Sequence, residues 1–181
     1  DRQGSLHLDV LAAGTLAHAF SPETAGLKGE GLLSAAWMAD VRGGVQLLAG
    51  GYARGAGGNV IRRWADFGMG APTDLEAARD TILHILAVPG GGAVYSAEDP
   101  GWGRIAPDGR VAYRPQPPMV DLRPAREQRL AVSADGTIIE FSAGPGTLHF
   151  DAVARTLAPA SKLAGNLTAA IVSAPGLSIS G

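Results

Sequence analysis

A short pattern occurs twice in this chain, and its two copies are displaced by 44 residues. The first copy is Leu-Ala-Val at residues 86–88, followed by the turn sequence Pro-Gly-Gly-Gly and an apolar run at residues 93–95. The second copy is Leu-Ala-Val at residues 130–132, followed by Ser-Ala-Asp-Gly and an alternating run from Thr137. Repeats of about 40 to 50 residues that combine short apolar runs with tight turns are typical of four-stranded propeller blades. We therefore expect an all-β fold, a partial β-propeller of about three to four antiparallel blades.

The composition favours one compact, β-rich, soluble unit. Apolar residues make up 46% of the 181 residues, charged residues make up 18%, and 26 glycines and 12 prolines separate short apolar runs. This spacing is typical of strands joined by tight turns. The net charge of −2, without a run of basic residues, argues against nucleic acid or an anionic membrane as a partner.

Targeting and redox features leave the cellular compartment open. No apolar stretch is long enough to span a membrane, and the first residues do not resemble a signal peptide. The chain contains no cysteine, which excludes disulfides, thiolate metal ligands and cysteine nucleophiles. A cysteine-free chain is compatible with either an oxidising or a reducing compartment.

The apolar runs and turns divide the chain into successive units. We expect a partial blade at residues 1–30, blades at 31–80, 81–128 and 129–160, and a linker with the start of a next blade at 161–181. The two best-defined units predict strands at residues 82–88, 93–97, 102–106 and 111–113, and at residues 129–133, 137–142, 147–151 and 155–158. Three strands are expected in the preceding unit, at residues 32–37, 45–49 and 59–64.

Residues 72–79 allow two interpretations. Thr73 and Glu76 have the spacing of a helix capping box. One helical face can be drawn through Leu75, Ala78, Ile82 and Leu86. The repeat instead places a strand from Thr81 onward. We therefore expect residues 72–79 to be a connection, with at most one helical turn.

Several segments resemble WD-repeat blades. The run Leu-Leu-Ala-Gly-Gly at residues 47–51 with Asn-Val-Ile-Arg-Arg-Trp-Ala-Asp at residues 59–66 looks like the second and third strands of such a blade. Residues 19–22 and 130–136 resemble the first hairpin. Residues 32–37 and 98–103, together with the hairpin at residues 130–136, are similar to bacterial WD-repeat propellers fused to caspase-like peptidases.

The resemblance implies a propeller fold and a regulatory or scaffolding role, with a parent protein that carries a caspase-like peptidase. The chain lacks the Gly-His dipeptide and the Asp-His-Ser-Trp tetrad of regular WD blades. It also lacks the His-Gly and Asp-x-Cys segments of those peptidases, so no caspase activity is expected in the chain itself.

No motif in the sequence predicts a catalytic, metal or cofactor site. The four histidines lack the spacing that would place two imidazoles on one metal, and no Gly-x-Ser-x-Gly turn is present. The glycine-rich residues 50–58 lack the lysine of a phosphate loop, and Asp108 and Asp135 each stand beside a tight turn rather than among several oxygen ligands. We therefore expect no metal and no cofactor.

The longest connections are predicted to emerge on one face of the propeller. They contain the candidate binding residues Tyr52, Arg54, Asp99, Trp102, Tyr113, Asp121 and Arg123. Aromatic and arginine side chains on loops over a rigid scaffold supply contact area and directional hydrogen bonds. The alternative for Trp102 is that it begins a strand and packs between blades.

Three hypotheses about function follow. The first is a noncatalytic interaction module that presents this face to a protein or peptide, and whose open ends are covered by the remaining blades of the same protein or by a second copy. The alternative is a small-molecule or glycan enzyme at the channel mouth, with Asp99, Asp121 and Arg123 as acid, base and anion anchor. A processed subunit of an autocleaving hydrolase is a third hypothesis.

Overall fold

The computed structural model describes residues 6–28, 31–99, 101–115, 129–133, 136–143, 146–151 and 156–159. Within these ranges the chain forms one two-stranded and three four-stranded antiparallel sheets, with one short 3₁₀ turn at Asp66–Gly68. The all-β class expected from the sequence is confirmed.

Within each sheet, strands that are consecutive in the sequence pair with one another. A hairpin comes first, formed by β1 (Val10–Leu11) and β2 (His18–Phe20). Sheet 1 contains β3 (Leu32–Ala39), β4 (Val45–Arg54), β5 (Asn59–Trp64) and β6 (Pro72–Ala78). Sheet 2 contains β7 (Ile82–Ala87), β8 (Ala93–Ala97), β9 (Gly101–Ile105) and β10 (Val111–Pro115). Sheet 3 contains β11 (Arg129–Val132), β12 (Ile138–Ala143), β13 (Gly146–Asp151) and β14 (Thr156–Pro159).

Strand β6 corrects the expectation for residues 72–79. The segment is neither a connection nor a helical turn, because it pairs with β5 along its length, from Trp64 opposite Pro72 to Asn59 opposite Ala78. Glu76 does not serve in a capping box, since its carboxylate accepts a 3.1 Å hydrogen bond from the Gly57 N–H. Strand pairing and burial outweigh a local helix signal of about 1 kcal/mol.

The sheets pack on one another in chain order. Ile61 of sheet 1 and Tyr95 of sheet 2 belong to one buried cluster, while Trp102 of sheet 2 and Phe150 of sheet 3 belong to another. A third cluster, around Trp64, joins the opposite face of sheet 1 to the N-terminal segment. Each fully buried large apolar side chain stabilises this packing by roughly 1.5 to 3 kcal/mol.

The sequence repeat has a different register in the structure. The turn after β7 is closed by a hydrogen bond from Gly91 N–H to Val88 O (3.0 Å), whereas the turn after β11 is closed from Gly136 N–H to Ser133 O (2.8 Å). The turns are therefore displaced by 45 residues, and the ungapped displacement of 44 is wrong by one residue.

This single residue changes which face each side chain occupies. Successive strand residues point to opposite faces, so a slip of one residue exchanges the two faces. Leu130 packs in the cluster that joins sheet 3 to sheet 2, and Ile85 packs in the cluster that joins sheet 2 to sheet 1. Leu130 is thus the counterpart of Ile85 rather than of Leu86, which faces sheet 3.

The first strands of successive sheets lie against one another, β3 against β7 and β7 against β11. The Ile85 N–H donates a 2.8 Å hydrogen bond to Ser34 Oγ, which joins β7 to β3. The hairpin turns also meet, because a Cβ added at Gly136 would come within 2.8 Å of Val88 Cγ1. One end of the sheets, which we call the turn end, therefore carries the β3–β4, β5–β6, β7–β8, β9–β10 and β11–β12 turns, and the opposite loop end carries the β4–β5, β6–β7 and β8–β9 connections.

Candidate functional site

Two of the predicted binding residues lie on a strand at the loop end. Tyr52 and Arg54 belong to β4, which extends further than expected, so that the turn before β5 comprises only residues 55–58. The Tyr52 N–H bonds to Gly31 O (3.0 Å), and the Arg54 N–H bonds to Lys28 O (2.9 Å). Both side chains are exposed while their backbone is held by a neighbouring segment.

Asp99 and Tyr113 are brought together at the same end. The Tyr113 hydroxyl donates a 2.8 Å hydrogen bond to Asp99 Oδ2. Burial, with the hydrogen bond to this carboxylate, raises the pKa of Tyr113 well above its usual range. The second oxygen, Asp99 Oδ1, is buried and accepts no hydrogen bond from a described residue. The hydrogen bond therefore holds the β8–β9 connection to β10 of sheet 2.

Glycines on β9 make room for two tyrosine rings. A Cβ at Gly101 would overlap the Tyr113 hydroxyl, and a Cβ at Gly103 would overlap the Tyr95 ring. The Tyr95 hydroxyl reaches across to sheet 1 and donates a 2.6 Å hydrogen bond to Ala77 O. The Gly-Trp-Gly sequence of β9 is therefore explained by close packing rather than by a flexible loop.

The remaining predicted residues divide into one that is buried and two outside the described ranges. Trp102 lies on β9 with 6% of its surface exposed, and its ring centroid is 4.6 Å from that of Phe150. It packs between sheets 2 and 3, as its alternative interpretation predicts. Asp121 and Arg123 lie outside the described residues, so the acid–base hypothesis that combines them with Asp99 stays a prediction.

A groove that the sequence did not predict lies at the turn end of sheet 1. It has a volume of about 330 Å³ and separates the segment after β2 from the loop between β5 and β6. Its lining residues are Phe20, Ser21, Pro22, Glu23, Gly68, Met69, Gly70 and Ala71. The segment at residues 20–23 is held in place because Trp64 Nε1–H donates a 2.9 Å hydrogen bond to Glu23 O.

The loop on the other side of the groove has an unusual backbone. Asp66 and Phe67 have φ angles of 48° and 54°, in the left-handed region, and Gly68 follows with 83°. Left-handed conformation costs a bulky residue such as phenylalanine about 1 to 2 kcal/mol. Three hydrogen bonds hold the loop, from the N–H groups of Gly68 and Gly70 to Ala65 O (both 2.9 Å) and from Met69 N–H to Asp66 O (3.1 Å).

Large apolar side chains stand exposed around this groove. Phe67 is 59% exposed, Met69 is 69% exposed and Trp37 is 38% exposed. The rings of Phe20 and Trp37 both border Gly68, because a Cβ added at Gly68 would lie 3.3 Å from each ring. We call these four apolar side chains, Phe20, Trp37, Phe67 and Met69, the aromatic rim. Three of the four are exposed and Phe20 is half-buried. Such a cluster of apolar side chains at the surface is typical of an interaction site.

A signal for the rim was present in the sequence. Phe67 and Met69 alternate with glycines in the short connection between two strands, where polar turn residues are usual. The groove itself is assembled from segments more than 40 residues apart, so no local pattern could indicate it.

A serine, a histidine and an aspartate meet beside the groove. Ser21 Oγ donates a 2.6 Å hydrogen bond to Asp9 Oδ1, and His18 Nε2 lies 2.9 Å from Ser21 Oγ and 3.5 Å from Asp9 Oδ1. In a catalytic triad the aspartate binds the other ring nitrogen and leaves the serine proton to the histidine. Here a single ring nitrogen, His18 Nε2, lies near both Ser21 and Asp9, and the serine hydroxyl donates its proton to Asp9. The three residues therefore form a hydrogen-bonded cluster that connects the start of β1 to the groove.

No protein-family model matches the chain, and no curated protein sequence matches it. Among the described residues, no three His, Asp or Glu side chains are grouped closely enough to hold a metal ion. In the same part of the chain, no helix has the length and hydropathy needed to cross a membrane.

Proposed function

We propose that this chain is a noncatalytic protein-interaction module whose binding surface is the aromatic rim. The observation that carries this proposal is that Phe67 and Met69 are held outward, beside a groove, by a loop with an unfavourable backbone. Strained residues persist when the surrounding structure holds them, and they cluster at ligand clamps and other functional sites. Exposed aromatic side chains supply contact area at binding surfaces, and methionine adapts its shape to the partner.

The arrangement of the sheets supports a propeller as the scaffold. Three consecutive four-stranded meanders pack face to face, with the first strand of each against the first strand of the next. In the described part of the chain the hairpin before sheet 1 has two strands, and strands from the remaining part of the same protein or from a second copy would complete its sheet. If the chain is part of a longer protein, we propose that it has a regulatory role beside a caspase-like peptidase domain.

A peptide-display selection tests the function. Random linear peptides are selected on the immobilised chain and then measured against Met69→Ser and Leu33→Ser. Leu33 is a matched control, because it is 41% exposed but lies at the loop end of β3. Enriched peptides should lose at least about tenfold in affinity with Met69→Ser and keep it with Leu33→Ser. Selection of no peptide, or of peptides that bind both variants equally, would contradict the proposal.

A further inference from the structure

An acidic residue stands in each of the two segments that border the groove. Glu23 lines the groove on the side of β2, and Asp66 begins the loop on the other side. Both residues are exposed, and neither forms a salt bridge with a described residue. A third carboxylate, Asp9, is engaged with Ser21 and His18.

The groove itself is small and is lined by both apolar and polar residues. Its volume of about 330 Å³ is at the lower end of the range for small-molecule pockets. Gly68 and Gly70 contribute no side chains to it, and Pro22 beside them is buried. The space therefore suits one or two side chains of a polypeptide better than a large cofactor.

We infer that the groove binds an extended segment of another polypeptide, with an aliphatic side chain inserted between residues 20–23 and 68–71 and with Lys or Arg on either side. This inference rests on the proposed function and adds the chemistry of the partner. The cations of the partner are placed to meet Glu23 and Asp66, while its central side chain contacts the aromatic rim. Complementary charge at the edge of an apolar contact sets specificity and the rate of association.

Short synthetic peptides test the charge preference directly. Three labelled peptides share a central leucine and differ only in their flanking residues, which are Lys, Ser or Glu. Fluorescence polarisation should show the Lys peptide binding at least about tenfold tighter than the Glu peptide at low ionic strength, and the difference should shrink as salt screens the exposed charges.

Charge-neutralising variants locate the preference. Glu23→Gln and Asp66→Asn should each weaken binding of the Lys peptide several-fold and leave the Ser peptide unchanged. Asparagine tolerates the left-handed backbone at position 66, so the loop is retained. Glu76→Gln is the matched control, because Glu76 is an exposed carboxylate whose contact with Gly57 N–H is at the loop end. This control should bind the Lys peptide like the wild-type chain.

The outcomes separate this inference from the proposed function. If all three peptides bind equally and lose affinity with Met69→Ser, the interaction function stands and the charge preference is wrong. If none of the three peptides binds while the display selection enriches others, the inference is wrong and the interaction function stands. If binding is insensitive to Met69→Ser, both are wrong. If the chain instead forms dimers that Met69→Ser dissociates, the groove is occupied by a second copy, and the inference of a basic partner is overturned.

Discussion

The hydroxyl of Tyr113 donates a hydrogen bond to the carboxylate of Asp99 at the loop end of sheet 2. The two residues lie on either side of β9, where Gly101 leaves the space that the hydroxyl occupies. Tyr113 is thereby fixed as part of the sheet 2 core, and its phenol is held in the protonated form.

Stability should therefore fall at alkaline pH. Burial raises the pKa values of both Tyr95 and Tyr113 above the ordinary value of about 10. Above that pH the unfolded state loses these protons while the folded state keeps them, so the unfolded state binds fewer protons and the free energy of unfolding decreases. Urea unfolding at a series of pH values measures the slope. Tyr113→Phe should reduce it, and an equal slope in this variant would contradict the assignment.

The glycine at position 103 should be intolerant of a side chain. A Cβ at Gly103 would overlap the Tyr95 ring, so Gly103→Ala should destabilise the chain by about 2 kcal/mol or more. Gly14→Ala is the control, because a Cβ at Gly14 has no heavy atom within 4 Å, and its effect should stay within about 0.5 kcal/mol. Urea denaturation of both variants makes the comparison, and equal stabilities would show that β8 and β9 are not packed as described.

The buried ion pair on sheet 1 should respond asymmetrically to truncation. Arg62 binds both carboxylate oxygens of Asp74 (2.6 and 2.9 Å) and donates a 2.7 Å hydrogen bond to Ala25 O. The Arg62 side chain is 6% exposed and that of Asp74 is 38% exposed. Asp74→Ala leaves a buried cation and should cost about 3 kcal/mol, whereas Arg62→Met leaves a carboxylate that water can reach and should cost less. Thermal unfolding ranks the variants, and the reverse order would contradict this assignment of burial.

How far the sequence predicts this fold depends on the segment. The strands of sheet 2 match the expected positions closely, because apolar runs are separated by the turn sequences Pro-Gly-Gly-Gly at residues 89–92 and Pro-Asp-Gly-Arg at residues 107–110. Strand β6 was missed because Thr73 and Glu76 form a local helix signal that pairing with β5 overrides. The repeat register was wrong by one residue because the matching Leu-Ala-Val letters at residues 86–88 and 130–132 are offset from the turns, whose hydrogen bonds make Ser133 the counterpart of Val88.

The candidate site was less predictable than the strands. Tryptophan is a residue type expected at a binding surface, but whether a tryptophan on a strand is buried depends on the adjacent sheet. Trp102 is buried because its ring packs on Phe150 of sheet 3. The aromatic rim depends on the left-handed backbone at Phe67, a conformation that phenylalanine does not favour and that sequence propensities therefore argue against. Packing against another sheet decided the first outcome, whereas the second rests on a loop whose hydrogen bonds lie within residues 65–70.

The left-handed backbone at Phe67 should lower the stability of the chain, while the Phe67 ring contributes to peptide binding. Phe67→Gly relieves the left-handed backbone, so it should be more stable than Phe67→Ala by about 1 kcal/mol. Both variants remove the same aromatic ring from the rim and should lose binding of selected peptides to the same extent. Urea unfolding and peptide titration make the comparison. If Phe67→Gly proves less stable than Phe67→Ala, the loop does not hold a strained conformation.

The most direct test of the interaction surface is hydrogen–deuterium exchange of the chain with and without a selected peptide. Binding at the aromatic rim should slow exchange at residues 20–23 and 66–71, because the peptide covers both sides of the groove. Exchange at residues 52–58 and 97–99 should be unchanged, since these lie at the loop end. Protection confined to the loop end would contradict the assignment and return the binding site to Tyr52, Arg54 and Asp99.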